Sequence, residues 1–539
     1  MNLVHRRTPH VVLSCLFAFA LAVTLLAPNA PTAQAQSSPN ANCSNLDDPS
    51  TDGWTNHEQL GVRLAGIEAT SDGRVEVDVI GHTHGGLEIY AARVGTGDRV
   101  LIVTSEIHGN EKTGTEALLQ MLKTLGSSNS PEAQLVRENV TLIALPKFNP
   151  DGAEINQRQS VYPWADVMAD FGVANFPRAW YYSNFAQGFD LNRDWNPDLD
   201  YELQQSDLPG NTLLPGFFIN SNSRALRDLY LDLRDEFGYV EAYVDLHHMG
   251  PCNRIEGALP RLVTIEEGPA MGSYEAGSAS FGTEPHHKHG ITGDIVVVNA
   301  STGVPSQGCG PLIGFPEGAI ALADRGGCAF VEIARNAQAA GASALIIANN
   351  TAANPSNLGG SDDSITIPAM MISRDDGDTI KAGLPAVGRV DTRVGQYVTV
   401  ALDYAPLGPP DSDKYDDWPL LDQERSRRYS LAAANALHEH AGGGNGEASP
   451  FFGGVVRYLH FPERDFPGQA RSSLELNGTN SVLFEVRGQQ HAWGQKQKGM
   501  LTQVVLTGLW GIAEAMADGS IDDLDGDDFF DLPKYWCCD

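Results

Sequence analysis

Four short runs of β-branched and aliphatic residues each end in a polar motif, and this recurrence constrains the fold more than any other feature. Residues 100–104 lead into Ser105-Glu106-Ile107-His108-Gly109-Asn110-Glu111. Residues 140–145 lead into Asn149-Pro150-Asp151-Gly152, residues 240–246 into His247-His248, and residues 481–484 into Glu485. Helical periodicity follows the first run at Ala117, Leu118, Met121, Leu122 and Leu125. Strands alternating with helices build a largely parallel sheet. In such sheets ligands and catalysis sit at the carboxyl ends of the strands. We therefore expect an α/β fold with a mixed, largely parallel sheet, helices on both faces, and one site along one edge.

The pattern is interrupted over residues 290–404, where short β runs at 295–298, 319–322 and 344–347 surround one helical segment at 330–340. A Pro/Asp/Gly-rich stretch at 405–418 reads as a linker back to the first unit. The expected organisation is a first part of the main domain over 58–285, a small β-rich insertion over 290–404, and a second part over 416–517. An acidic tail over 518–539 reads as solvated surface.

Arg6 and Arg7 precede an apolar run at 11–26, and Ala33-Gln34-Ala35 forms a small-x-small cleavage motif. That order predicts a signal peptide over 1–35, followed by a flexible lead-in over 36–57. The run is short for a membrane span and ends at Pro28 and Pro31. No later stretch reads as apolar enough to cross a bilayer, so the protein is expected to be secreted or periplasmic. Cys43, Cys252, Cys309, Cys328, Cys537 and Cys538 follow residue 35, and Cys309 with Cys328 is the most local pairing for a disulfide. The formal charge of −32 argues against nucleic acid as a partner, because phosphate binding needs clustered Lys and Arg.

His108 and Glu111 stand three residues apart at the start of a helical segment, so one cation can engage both side chains. Imidazole plus carboxylate suits zinc, and a catalytic zinc takes a third protein ligand and leaves one position open. Asp245-Leu246-His247-His248 supplies that histidine from another strand end, and Asp245 can accept a ring N–H. Asp190-Leu191-Asn192-Arg193 offers an amide and a guanidinium, a donor set for a carboxylate. Arg158 follows the Asn-Pro-Asp-Gly segment and supplies another cation near the metal. Glu485, between large apolar residues, can serve as a desolvated general base.

Together these motifs, in this order, resemble the zinc metallocarboxypeptidases of the carboxypeptidase A/B type over residues 58–275 and 416–517. The resemblance implies that His108, Glu111 and His247 ligate a single Zn2+. It further implies that Asn192 and Arg193 hold the substrate's terminal carboxylate, that Arg158 stabilises the oxyanion, and that Glu485 acts as general acid/base. His247 rather than His248 aligns after Asp-Leu, and neighbouring residues of a strand point to opposite faces. The family's mobile tyrosine has no match at a decisive spacing, although Tyr458 lies upstream of Glu485.

Residues 318–330, Ala337 to Ala342 and Ile367-Pro368-Ala369-Met370 resemble a protease-associated (PA) domain, which accounts for the long separation of His247 from Glu485. His286-His287-x-His289 and the aspartates at 522–528 read as exposed loop and solvated acid. No Gly-x-Ser-x-Gly elbow or phosphate loop is present, which disfavours serine hydrolases and nucleotide enzymes. The expected function is an exported zinc carboxypeptidase acting on peptide or protein C-termini. A zinc deacylase of the succinylglutamate desuccinylase/aspartoacylase type shares the His-x-x-Glu and Asp-Leu-His logic, and a non-catalytic binding protein with a degenerate site is a third reading.

Overall fold

The computed structural model describes residues 53–536, apart from 174, 251–253, 256–261, 284–289, 352–354, 391–397, 406–417, 441–453, 458–466 and 489–493. The signal peptide, most of the lead-in, the 286–289 histidines, Tyr458, Cys43, Cys252, Cys537 and Cys538 lie outside the described residues.

The main sheet is built from β1 (Val75–His82), β2 (Glu88–Val94), β3 (Arg99–Ser105), β4 (Val140–Leu145), β5 (Ala242–Met249), β6 (Val398–Tyr404), β7 (Gly454–Arg457) and β8 (Asn480–Arg487). Its strand order is β1-β2-β4-β3-β5-β8-β6-β7. The four central strands β4, β3, β5 and β8 run parallel, while β1–β2, β2–β4 and β6–β8 pair antiparallel. Both faces are covered, so the central strands are almost continuously buried rather than alternating. Leu101, Val103, Val244 and Phe484 face one core with the helices Thr113–Ser127, Gln423–His440 and Gly494–Asp518. Val100, Ile102 and Tyr243 face the other, with Leu226, Tyr230 and Leu474.

A second eight-stranded sheet carries the strands Ile291–Val297, Ile320–Asp324, Ala344–Ala348 and Ala369–Ile372 as parallel neighbours. The helices Phe330–Ala339 and Arg374–Ala382 accompany it, and Cys309 and Cys328 form a disulfide. Its borders differ from those expected from composition. Val263–Glu267, Gly272–Tyr274 and Ala276–Ser278 belong to this second sheet, whereas β6 at 398–404 belongs to the first. A wholly buried strand such as β6 suits either core, and the choice is made by its pairing with β8.

Two further expectations are corrected. The helix Lys498–Asp518 is long enough and, at a mean hydropathy of 1.3, apolar enough to span a bilayer, contrary to the reading that no later stretch is. Its apolar window is 72% buried inside the protein, so its composition reflects core packing. The acidic tail is not simply solvated. Ile521 and Phe529 are buried, Asp522 meets Arg99 and Arg425, and Asp527 meets Arg427 at 2.5 Å.

At the amino ends of the central strands, buried Glu241 accepts from Arg99 Nε at 2.8 Å and from Tyr429 Oη at 2.6 Å. Arg99 also donates to the Met516 carbonyl at 2.7 Å, tying early strands to the last helix. Removing one partner of a buried pair strands the other charge, which costs about 3–5 kcal/mol. Glu241→Ala is expected to lower the urea unfolding free energy by about that amount while leaving the site edge, at the opposite strand ends, folded.

Candidate metal and catalytic site

The face of the main sheet that is apolar at Val100, Ile102 and Tyr243 turns polar towards the carboxyl edge. β3 and β5 pair Thr104 with Asp245, and β5 and β8 pair His247 with Glu485. Because side chains repeat every second residue, Thr104, Asp245, His247 and Glu485 fall on one face. His248 points to the other side, where its Nε2 accepts from the Thr113 N–H at 3.1 Å.

The loop after β3 brings His108 and Glu111 to the same place. Gly109 permits this turn, since a Cβ there would lie 2.3 Å from the Ala153 nitrogen and the Gly152 carbonyl carbon. The loop is further fixed by Glu106, which has a φ of 56° and pairs through its carboxylate with buried Lys147 at 3.1 Å. Side chains at positive φ are strained, and a buried ion pair is the kind of surrounding structure that holds one there.

His108, Glu111 and His247 are buried, and their ligand atoms all lie within 4.8 Å of one another. Glu111 stands between the rings, with Oε1 2.9 Å from His108 Nδ1 and Oε2 2.9 Å from His247 Nδ1. The two Nδ1 atoms are 3.1 Å apart. Each ring turns its Nε2 to an aspartate: His247 to Asp245 at 2.8 Å and His108 to Asp190 at 3.3 Å. Carboxylates that take the Nε2 protons leave the Nδ1 lone pairs converging with a carboxylate. Two imidazole nitrogens and a carboxylate converging on one point form a donor set for a cation, and imidazole with carboxylate suits zinc; the Arg158 guanidinium stands beside it, 3.1 Å from His108 Nδ1.

The electrostatics agree. Burial works against ionisation of Glu111, yet His108 and His247 hold its carboxyl well below the usual range. Burial likewise opposes charge on His247, but Asp245 and Glu111 push the imidazole up to about 10.

Around this trio, Asp190 is a hub that the sequence reading did not single out. It accepts from Arg158 Nε at 3.2 Å and Nη2 at 3.0 Å, and from the Asn192 N–H at 3.0 Å. Its position as the cap of the short turn Leu191–Arg193 was the available signal. Arg158 is part-exposed and reaches 3.1 Å from His108 Nδ1 and 3.6 Å from Glu111. For Arg193, burial disfavours the cation; Asp190 opposes this, while Arg158 and Arg471 reinforce it. An anion placed beside Arg193 would relieve that cost. Burial pushes the Glu485 carboxyl up to about 7; Glu111 adds to the rise, while His247, Arg471 and Arg158 oppose it. Asn192 lies closer to the metal side than expected: its amide nitrogen is 3.1 Å from His247 Nε2, and its oxygen accepts from the Ala470 N–H at 3.1 Å.

If this geometry holds the cation, Gly109→Ala should abolish stoichiometric zinc uptake by displacing the loop, and His247→Ala should do the same. His248→Ala should retain uptake. Metal analysis of the purified variants after dialysis against zinc checks all three.

The zinc carboxypeptidase family model matches residues 63–251 and the PA domain model matches residues 291–380. Among solved structures, the chain is similar to a metallo-carboxypeptidase from Burkholderia cenocepacia (16% identity, TM-score 0.26, covering 39% of this chain and 43% of that one). It is also similar to carboxypeptidase A from Helicoverpa armigera (20% identity, TM-score 0.28, covering 40% and 52%). Two Arabidopsis thaliana proteins match shorter stretches. Signal peptide peptidase-like 2 is 34% identical over 104 residues, 19% of each chain, and vacuolar-sorting receptor 7 is 29% identical over 167 residues, 29% of this chain and 25% of that one. The matches thus span a quarter or less of these curated relatives and about half or less of the solved chains. The chain carries a zinc carboxypeptidase domain, which contains the His108, Glu111 and His247 cluster, together with a PA domain.

Proposed function

We propose that the protein is an exported zinc carboxypeptidase that hydrolyses the last peptide bond of peptides or proteins. The observation that carries the reading is the placement of Glu485, beyond the matched segment, in register with the metal-site residue His247.

A zinc ion held by His108, Glu111 and His247 would supply a Lewis acid and lower the pKa of an attacking water. Arg193 receives the substrate's terminal carboxylate, and Asn192 is the second residue the motif assigns to that task. This anchor sets which bond lies over the site. Glu485, desolvated and with its carboxyl raised to about 7, takes a proton from the attacking water and returns it to the leaving amine. Arg158, next to His108, offers its guanidinium where negative charge develops on the scissile carbonyl oxygen, the kind of stabilisation that contributes most to such reactions. The Cys309–Cys328 disulfide supports an oxidising compartment, and with it secretion or residence in the periplasm.

Release of C-terminal amino acids from a peptide library, blocked by a zinc chelator and restored by zinc, is the expected result. Glu485→Gln should lower kcat by about 10²–10⁴-fold. Because the base must be ionised, wild-type kcat/KM should fall as pH drops below about 7 or lower, the bound cation favouring the carboxylate, and the variant's residual rate should lack that limb. Chelator-insensitive release would refute the zinc mechanism. Cleavage of acyl-amino acids but not peptides would assign the site to a deacylase.

A further inference from the structure

Glu106 combines two choices that a chain avoids unless something compensates. Its φ of 56° lies in the left-handed region that favours glycine, and its side chain is fully buried. A carboxylate in the interior needs a partner of opposite charge. Lys147, itself 2% exposed, supplies one, with Nζ 3.1 Å from Oε2. Oε1 meets the hydroxyl of Thr115, which also meets the Pro146 carbonyl. Among the described residues, no hydrogen bond or ion pair joins the Glu106 side chain to His108, Glu111 or His247.

The pair ties together three elements that carry the site. Glu106 follows β3 on the way to His108, Lys147 follows β4 on the way to Asn149, and Thr115 lies in the first turn of the helix Thr113–Ser127. The backbone is joined in the same place. The Phe148 N–H donates to the Ser105 carbonyl at 2.9 Å and the Asn149 N–H to the Glu106 carbonyl at 3.0 Å. The Asn149 amide nitrogen donates to the Ile107 carbonyl at 3.4 Å and to the Arg158 carbonyl at 3.3 Å. The turn that leads to the metal ligands is thus fastened to the loop after β4, and at Glu106 the fastening is made by charge. A glycine there would take the same backbone without strain but would strand Lys147. The lysine would be left with Glu154 Oε1 at 3.8 Å, on a part-exposed residue that already accepts from the His57 N–H at 2.8 Å.

We propose that Glu106 is a positioning residue for the metal loop: clasped by Lys147, its carboxylate locks the left-handed turn that presents His108 and Glu111, and so sets metal affinity without touching metal or substrate. The inference rests on His108 and Glu111 being metal ligands, as in the function proposed above. Each charge is buried against the other, so removing one should harm the site more than removing both.

The test measures zinc affinity of the substrate-free full-length protein by competition with a chromogenic chelator, with urea unfolding of the metal-free proteins alongside. The proteins compared are wild type, Glu106→Gln, Lys147→Met and the double variant Glu106→Gly/Lys147→Met, in which glycine takes the left-handed turn unaided. Outer groups that orient metal ligands typically change affinity about 10–100-fold, so each single variant should weaken zinc binding by about tenfold or more. With both charges gone, the double variant should recover to within about threefold of wild type. Peptide KM in saturating zinc should stay within about twofold throughout, since no substrate contact is removed. Cobalt-loaded single variants should show shifted visible d–d bands, and the double variant the wild-type spectrum. Glu106→Gln preserves the size of the side chain and its contact with Thr115, so it carries the test even where Lys147→Met fails to fold. Single variants that lose stability in urea but keep wild-type zinc affinity and cobalt bands would overturn the proposal and leave the pair a purely structural one. A double variant that binds zinc more weakly than either single variant would overturn it as well. Wild-type protein that binds no zinc would overturn the proposed function and this inference together, whereas zinc-binding wild type with unaltered single variants overturns the inference alone.

Discussion

The parallel pairing of β5 with β8 is the interaction on which the site depends. It sets Glu485 beside His247 and Leu483 beside Asp245, in a register where a slip of one residue would turn Glu485 to the opposite face. The register is fixed by the core behind the sheet. Phe484 and Val486 are buried against the last helix, and a Cβ on Gly508 of that helix would lie 2.4 Å from the Phe484 ring. Glu485 has no freedom to be elsewhere while those apolar neighbours stay in the core.

Burial of charge follows from this geometry. Asp190, Asp245 and Glu111 are acids in the interior, and each stands against an imidazole, with Arg158 bridging two of them. Buried charges are tolerated only when paired and hydrogen-bonded. The chain meets that condition for every one of these acids, and the Arg158 guanidinium stands 3.1 Å from His108 Nδ1 beside them. The scaffold thus holds two imidazole nitrogens and a carboxylate together at the point where a cation fits.

The elements legible in the sequence were those written locally. His108 and Glu111 share one turn, and the strand-end motifs announce both the sheet and its active edge. The choice of His247 over His248 rests on its alignment after Asp-Leu together with strand alternation, and the structure groups His247 with His108 and Glu111 while His248 meets Thr113 on the other face. What could not be read depends on partners distant in the chain. Asp190 becomes a hub only because Arg158 and His108 fold against it. The amide of Asn192 is claimed by Asp245 and Ala470, and no spacing announces either contact. The tail looked like solvated acid because composition hides where its cations are: Arg99, Arg425 and Arg427 meet it from other elements. The helix at 498–518 illustrates the reverse error, since segments that look unremarkable in a window can be apolar enough to pass for a span when they fill a core.

The placement of the inserted sheet is a consequence of strand direction. β5 ends at the edge that carries His247, and the chain then departs for the second sheet. It returns as β6, antiparallel to β8 with Val400 opposite Val486 and Tyr404 opposite Val482. Since β8 runs parallel to β5, the first residues of β6 lie at the same edge from which β5 left. The two junctions are joined there by a small apolar cluster of Met249, Val398, Ala401 and Val456. Departure and return therefore share one edge with His247 and Glu485. An insertion at this point needs no rearrangement of the central strands, because β8 enters between β5 and β6 and closes the sheet whatever length lies between them. The same topology that brings Glu485 to the metal site roots the second sheet at its rim.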